Sequence, residues 1–171
     1  MWSARHGKGL AAAAIALSAL SACTIRPLYS GGASGNGPQA DLPAIAIDQP
    51  VTREEQVFRN ALNFDLRGGG EGAAIRYHLS YRLVIREREV AVERRTGTPS
   101  AYQLDASVSF LVEDTTTGAQ IVGANVTAID SYNRVSQDFA NVRARRDAED
   151  RLLTTLAQLT QARLAAFFST R

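Results

Sequence analysis

Tyr102-Gln103-Leu104-Asp105-Ala106-Ser107-Val108-Ser109-Phe110-Leu111-Val112 is the run on which the fold turns. Successive side chains of a strand point to opposite faces, so Tyr102, Leu104, Ala106, Val108, Phe110 and Val112 share one face while Gln103, Asp105, Ser107 and Ser109 oppose them. A strand apolar on one side only belongs to a sheet with one covered and one wet face. Working outward, Asp114-Thr115-Thr116-Thr117-Gly118 reads as a hairpin turn. The strand after it, Gln120 to Tyr132, sets Val122, Ala124, Val126 and Ala128 against Asn125, Thr127 and Asp130. On the other side, beyond the loop Arg94 to Ser100, Tyr77, Leu79, Tyr81, Leu83 and Ile85 alternate with His78, Ser80, Arg82 and Arg86. A short strand, Leu42 to Asp48, precedes them and is ended by Asp48-Gln49-Pro50.

Two amphipathic helices supply the cover. Thr52-Arg53-Glu54-Glu55 is a capping box, after which Val57, Phe58, Ala61, Leu62 and Phe64 form a broad apolar face and Gln56, Arg59, Asn60, Asn63 and Arg67 a polar one. The second helix runs from about Asn141 to Phe168, with Ala148, Leu152, Leu153, Leu156, Leu159 and Phe167 as its stripe and Asp147, Asp150, Arg151, Gln158 and Gln161 as its wet side. Arg143 with Asp147, Arg146 with Asp150, and Asp147 with Arg151 stand four apart, a spacing for local ion pairs. The order β-α-β-β-β-α predicts an α+β fold, one four-stranded sheet with two helices packed on one face. About 130 residues, 42–171, suffice for one such domain.

The amino-terminal part reads differently. A basic start, Arg5 and Lys8, leads into an apolar run from Leu10 to Leu20 and then Leu20-Ser21-Ala22-Cys23. The run measures about 16 Å as a helix, against roughly 30 Å of membrane hydrocarbon, which is the layout of a secretory signal and not of a membrane span. A cysteine directly after two small residues resembles the lipobox of bacterial lipoproteins. That resemblance implies removal of residues 1–22, a diacylglycerol on the Cys23 sulfur, an acylated new amino terminus and a membrane anchor made of those chains. Thr24, where Asp would favour retention in the inner membrane, implies the outer membrane, periplasmic side. Residues 23–41 are rich in Gly and Ser and read as a flexible tether, although Pro27, Leu28 and Tyr29 have reason to pack.

Loss of Arg5 and Lys8 lowers Lys plus Arg from 19 to 17, level with the 17 acidic residues, so the mature chain is near neutral and offers no basic stripe to a nucleic acid. Cys23 is the only cysteine, which leaves no disulfide and no catalytic thiol. His78 is the only histidine after cleavage and alternates with the apolar set of its strand, as a solvated sheet residue does. No G-x-S-x-G and no metal-ligand spacing occurs. The glycines of Gly68-Gly69-Gly70-Glu71-Gly72-Ala73 follow a helix instead of opening one, which suits a helix stop and not a dinucleotide loop. These features predict neither enzyme nor cofactor.

The charged stretch from Arg82 to Arg95 is the remaining candidate. Its five arginines, 82, 86, 88, 94 and 95, can grip phosphate through two-point contacts, but Glu87, Glu89 and Glu93 among them suit mutual neutralisation on an edge strand protected from aggregation. The lipobox, Arg26-Pro27-Leu28-Tyr29, the β-α-β-β-β-α order and the segment from Ser136-Gln137-Asp138-Phe139-Ala140 to Arg145-Arg146-Asp147-Ala148 together resemble the LPS-assembly lipoprotein family, LptE, in its alphaproteobacterial form. The resemblance implies an outer-membrane lipoprotein that plugs and helps assemble a β-barrel of the LptD type and contacts lipopolysaccharide. Cys23 carries over as the lipidated residue. Arg94 and Arg95, on a loop that reaches lipid phosphates, are the candidate lipopolysaccharide contacts. A lipid-binding or transport-accessory periplasmic lipoprotein is the alternative, and a domain that binds only another protein is a third.

Overall fold

The computed structural model describes residues 41–68, 73–92, 94, 97 and 99–170. A 3-10 turn, Leu42–Ala44, leads into β1 (Ile45–Ile47), and α1 (Arg53–Arg67), β2 (Tyr77–Val92), β3 (Pro99–Asp114), β4 (Gln120–Asn133) and α2 (Asp138–Ser169) follow. The strands form one sheet in the order β1-β2-β3-β4. β1 is parallel to β2, with Ile45 opposite Tyr77 and Ile47 opposite Leu79, so α1 is a crossover. The three longer strands form an antiparallel meander. This is the expected α+β architecture.

Each element has a local cause. Thr52 accepts from the Glu55 amide at 3.2 Å, and the Glu55 carboxylate accepts from the amides of Val51 and Thr52 at 2.7 and 3.4 Å, which completes the capping box and starts α1. Gly68, in the left-handed region at φ 58°, donates to the Phe64 carbonyl at 2.9 Å and stops it. In the β3–β4 turn one Asp114 carboxylate oxygen accepts from the amides of Thr116 and Thr117 at 2.8 and 3.0 Å. No side chain caps the α2 amino terminus from Gln137; instead the Asn141 amide bonds both the N–H and the C=O of Val135 and ties down the turn before the helix.

The apolar faces of β2 and β3 meet both helices. Phe58, Leu62, Leu79, Leu104, Val108, Val112, Leu153, Leu156 and Leu164 are fully excluded from water. Thr160 is buried with them, its hydroxyl donating to the Leu156 carbonyl at 2.7 Å.

Six side-chain expectations are corrected. Phe64 is 67 % exposed, because the buried stripe of α1 runs through Phe58, Leu62 and Leu66 at four-residue spacing and Phe64 lies off it. Asp130 lies on the covered face of β4, even-numbered like Ala128 and Tyr132, and receives Arg151 of α2 at 3.0 Å. Leu159 is 43 % exposed whereas Gln161 is buried, since the stripe of a helix this long drifts round its axis. Of the three expected helical ion pairs only Asp147 with Arg151 forms; Asp150 is taken by Arg53 of α1 at 2.8 Å. The pair not foreseen, Arg145 with Glu149 at 3.3 Å, forms beside it.

Candidate functional site: the uncovered sheet face and its basic strand

Both helices pack on one face of the sheet, so the odd positions of β3 and β4 and the even positions of β2 face outward. Ser107, Ser109, Asn125, Thr127 and Gly123 make the middle of this face small and polar, and Asn125 donates to the Ser109 hydroxyl at 2.8 Å. Arg82, Arg86 and Arg88 rise along β2 at its border. Asp105 stands opposite Arg86 in register but bonds Arg88 at 2.9 Å and the Gln103 amide at 2.8 Å. Arg86 and Arg82 are exposed and make no ion pair among the described residues. Their fixed positive charge, beside neutral hydroxyls, suits an anionic surface.

Neutralisation within β2 does not occur, and the reason is the pleat: neighbours in sequence point to opposite faces. Glu87 lies on the helix-bearing side, where its carboxylate accepts from the Tyr132 hydroxyl and pairs with Arg145 at 3.3 Å. Glu87, Tyr102, Tyr132, Arg134, Asp138, Asn141, Val142 and Arg145 line a groove of about 450 Å³ under the start of α2. Tyr102 and Tyr132 stack at 5.4 Å. Burial, and then the Glu87 carboxylate, raise the Tyr132 phenol above its usual range. The groove's charges satisfy one another, which makes it a brace for the helix and a poor receptor.

Arg94 is exposed in the turn between β2 and β3. Arg95, Glu93 and Cys23 lie outside the described residues. His78, on the uncovered face, places Nε2 2.9 Å from the Asp48 carboxylate and joins β2 to the end of β1. Among the described residues no group of three or more His, Cys, Asp or Glu is placed to hold a metal, and no helix is long and apolar enough to cross a membrane. That Arg82 and Arg86 have no ion-pair partner among the described residues escaped the sequence reading; the even parity that they share with Val84 and Arg88 was the available signal.

Residues 42–164, every element just described except the end of α2, match the family described as LptE, lipopolysaccharide-assembly. The chain belongs to the LptE family. Solved structures of low identity share the fold. A lipoprotein of Caulobacter crescentus CB15 superposes with a TM-score of 0.63 at 22 % identity, over 78 % of this chain and 96 % of that one. The minor lipoprotein of Acinetobacter baumannii gives 0.56 at 18 %, over 71 % and 90 %. Rare lipoprotein B of Shewanella oneidensis gives 0.54 at 12 %, over 72 % and 92 %. No curated protein sequence matches the chain.

Proposed function

We propose that this LptE-family chain is an outer-membrane lipoprotein, anchored on the periplasmic side through Cys23, that plugs and helps assemble an LptD-type β-barrel and assists lipopolysaccharide on its way to the surface. Membership of the family over residues 42–164 carries the reading. The uncovered face supports it, since a broad, small and polar surface suits the polar lumen of a large barrel. In this reading residues 1–22 are removed, 23–41 are the lipidated tether and 42–171 the working domain.

Copurification from detergent-solubilised outer membrane tests the partner: a stoichiometric β-barrel is the expected companion, and its absence overturns the plug. Intact mass should show an acylated chain starting at Cys23, and Cys23→Ala should leave it unprocessed or released. Lipopolysaccharide contact is assigned to Arg94 and Arg95. Reversing both charges should weaken lipopolysaccharide binding at least tenfold and leave barrel association intact; unchanged lipid binding would return the arginines to edge protection.

A further inference from the structure

The sheet ends in two edges of opposite character. Beyond the three residues of β1, the free edge of β2 carries Arg82, Arg86, Glu87, Arg88 and Glu89, charges that discourage a second strand from pairing. The β4 edge carries none before Asp130, which is paired with Arg151. From Gln120 to Ile129 it reads Gln-Ile-Val-Gly-Ala-Asn-Val-Thr-Ala-Ile, without charge or proline, and among the described residues it pairs with β3 alone. Alternate N–H and C=O groups of β4 therefore point away from β3, unpaired among the described residues. Its side chains are also incompletely covered: Val122, Ala124 and Val126 are half-buried, while the matching row of β3 is buried throughout, and Ile129 is 65 % exposed. The bond from Arg151 to Asp130 fixes which flank of α2 runs along β4. Thr155, Leu159, Ala162 and Ala166 continue that flank at helical spacing, all exposed, with Arg163 at its border. Strand edge and helix flank make one continuous, nearly uncharged strip.

We propose that this strip pairs with the same strip of a second copy of the chain, β4 antiparallel to β4 about a twofold axis through Asn125. The register sets Val122 opposite Ala128 and Ala124 opposite Val126 on the helix-bearing face, and Ile121 opposite Ile129 on the other. Gln120 meets Asp130, so no like charges are opposed within it. A shift of one residue would place apolar against polar rows, which selects this parity. Both copies of α2 lie on one side of the joined sheet, where Ala162 and Ala166 allow close approach. The pairing concerns the chain without a barrel and does not depend on the plug reading.

Cysteine cross-linking of the full chain, purified in detergent apart from any barrel, tests it, with the wild type as reference for any linkage through Cys23. Asn125→Cys sits on the axis, where facing Cα atoms are about 5 Å apart and within disulfide reach. It should give a linked dimer under mild oxidation. Thr127→Cys lies four residues from its copy, about 13 Å, and should give none. Asn125→Lys, an exposed substitution, should raise the dimer dissociation constant at least tenfold by sedimentation equilibrium. A wild type that stays monomeric through the micromolar range, equal linkage at residues 125 and 127, or a dimer that survives Asn125→Lys would each overturn the proposal.

Discussion

Among the described residues one half of the sheet lies under two helices and the other under α2 alone, and the two halves are held by different forces. Under both helices the contacts are apolar: Phe58 and Leu62 of α1 and Leu156 and Leu164 of α2 exclude water from Leu79 and Val108. Beyond the start of α1 the row Tyr81, Leu83, Ile85 on β2 is only half-buried, and polar groups fix the helix instead. Arg145 bridges Glu87 and Glu149, Arg151 joins Asp130, and the Asn141 amide closes on Val135. Burial supplies stability in proportion to area removed from water, whereas exposed ion pairs contribute little energy and mainly set position. The first half should therefore act as the anchor of the fold and the second as a positioned extension.

Truncation separates them. Leu156→Ala, in the fully buried half, should cost about 2–5 kcal/mol in denaturant unfolding. An unchanged midpoint would remove the anchor. Ile85→Ala, in the half-buried row, should cost about 1–2 kcal/mol. A loss equal to that of Leu156→Ala would erase the distinction between the halves.

The smallest effect lies at their boundary. Tyr81 packs on Phe58 at 5.2 Å, and its hydroxyl is buried with no hydrogen bond among the described residues. Burial first, and the Glu55 charge second, push the phenol from 10.0 up to about 12. An unfolded chain releases this proton near pH 10 while the folded chain keeps it, so stability should fall as pH rises from about 10 to 12 and be unaffected below. Tyr132, also raised, adds to the same slope. Tyr81→Phe should make that alkaline loss shallower and leave stability at pH 7 unchanged or slightly higher, as it deletes an unpaired buried hydroxyl. Alkaline melts of the two proteins that coincide would show that Tyr81 takes no part.

The same division explains what the sequence disclosed. Period-two alternation is strict in Tyr102–Val112, because that strand is central and one of its faces is dry from Leu104 to Val112, and the capping box at Thr52 is a local chemical pattern independent of the rest. Both were legible. Asp130 was assigned to the wrong face because its polarity suggested solvent, when a partner, Arg151, awaited it on the covered side. Leu159 and Gln161 exchanged roles because the buried positions of this 32-residue helix advance by four, from Ala148 to Phe168 and from Glu149 to Ala165, and so drift away from Leu159 and onto Gln161. For the candidate site, residue types were legible and partners were not: that Asp105 takes Arg88 and not Arg86, which stands opposite it, depends on register across strands, which one strand's pattern does not contain.

The parallel pairing of β1 carries a consequence for the order in which the molecule assembles. β2, β3 and β4 each pair with the next strand in the chain and α2 folds back directly onto β4, so these contacts close through short connections, while Ile45 must find Tyr77 across the whole of α1 and α1 must find α2 across the whole meander. Closing a longer loop costs more chain entropy, and contacts between residues distant in sequence slow the search. The meander with α2 should collapse as the nucleus, and β1 with α1 should dock on it late. Folding kinetics of conservative truncations would then give φ-values near zero at Ile45 and Phe58 and well above zero at Val108 and Leu153, and the reverse ranking would make the amino-terminal crossover the seed.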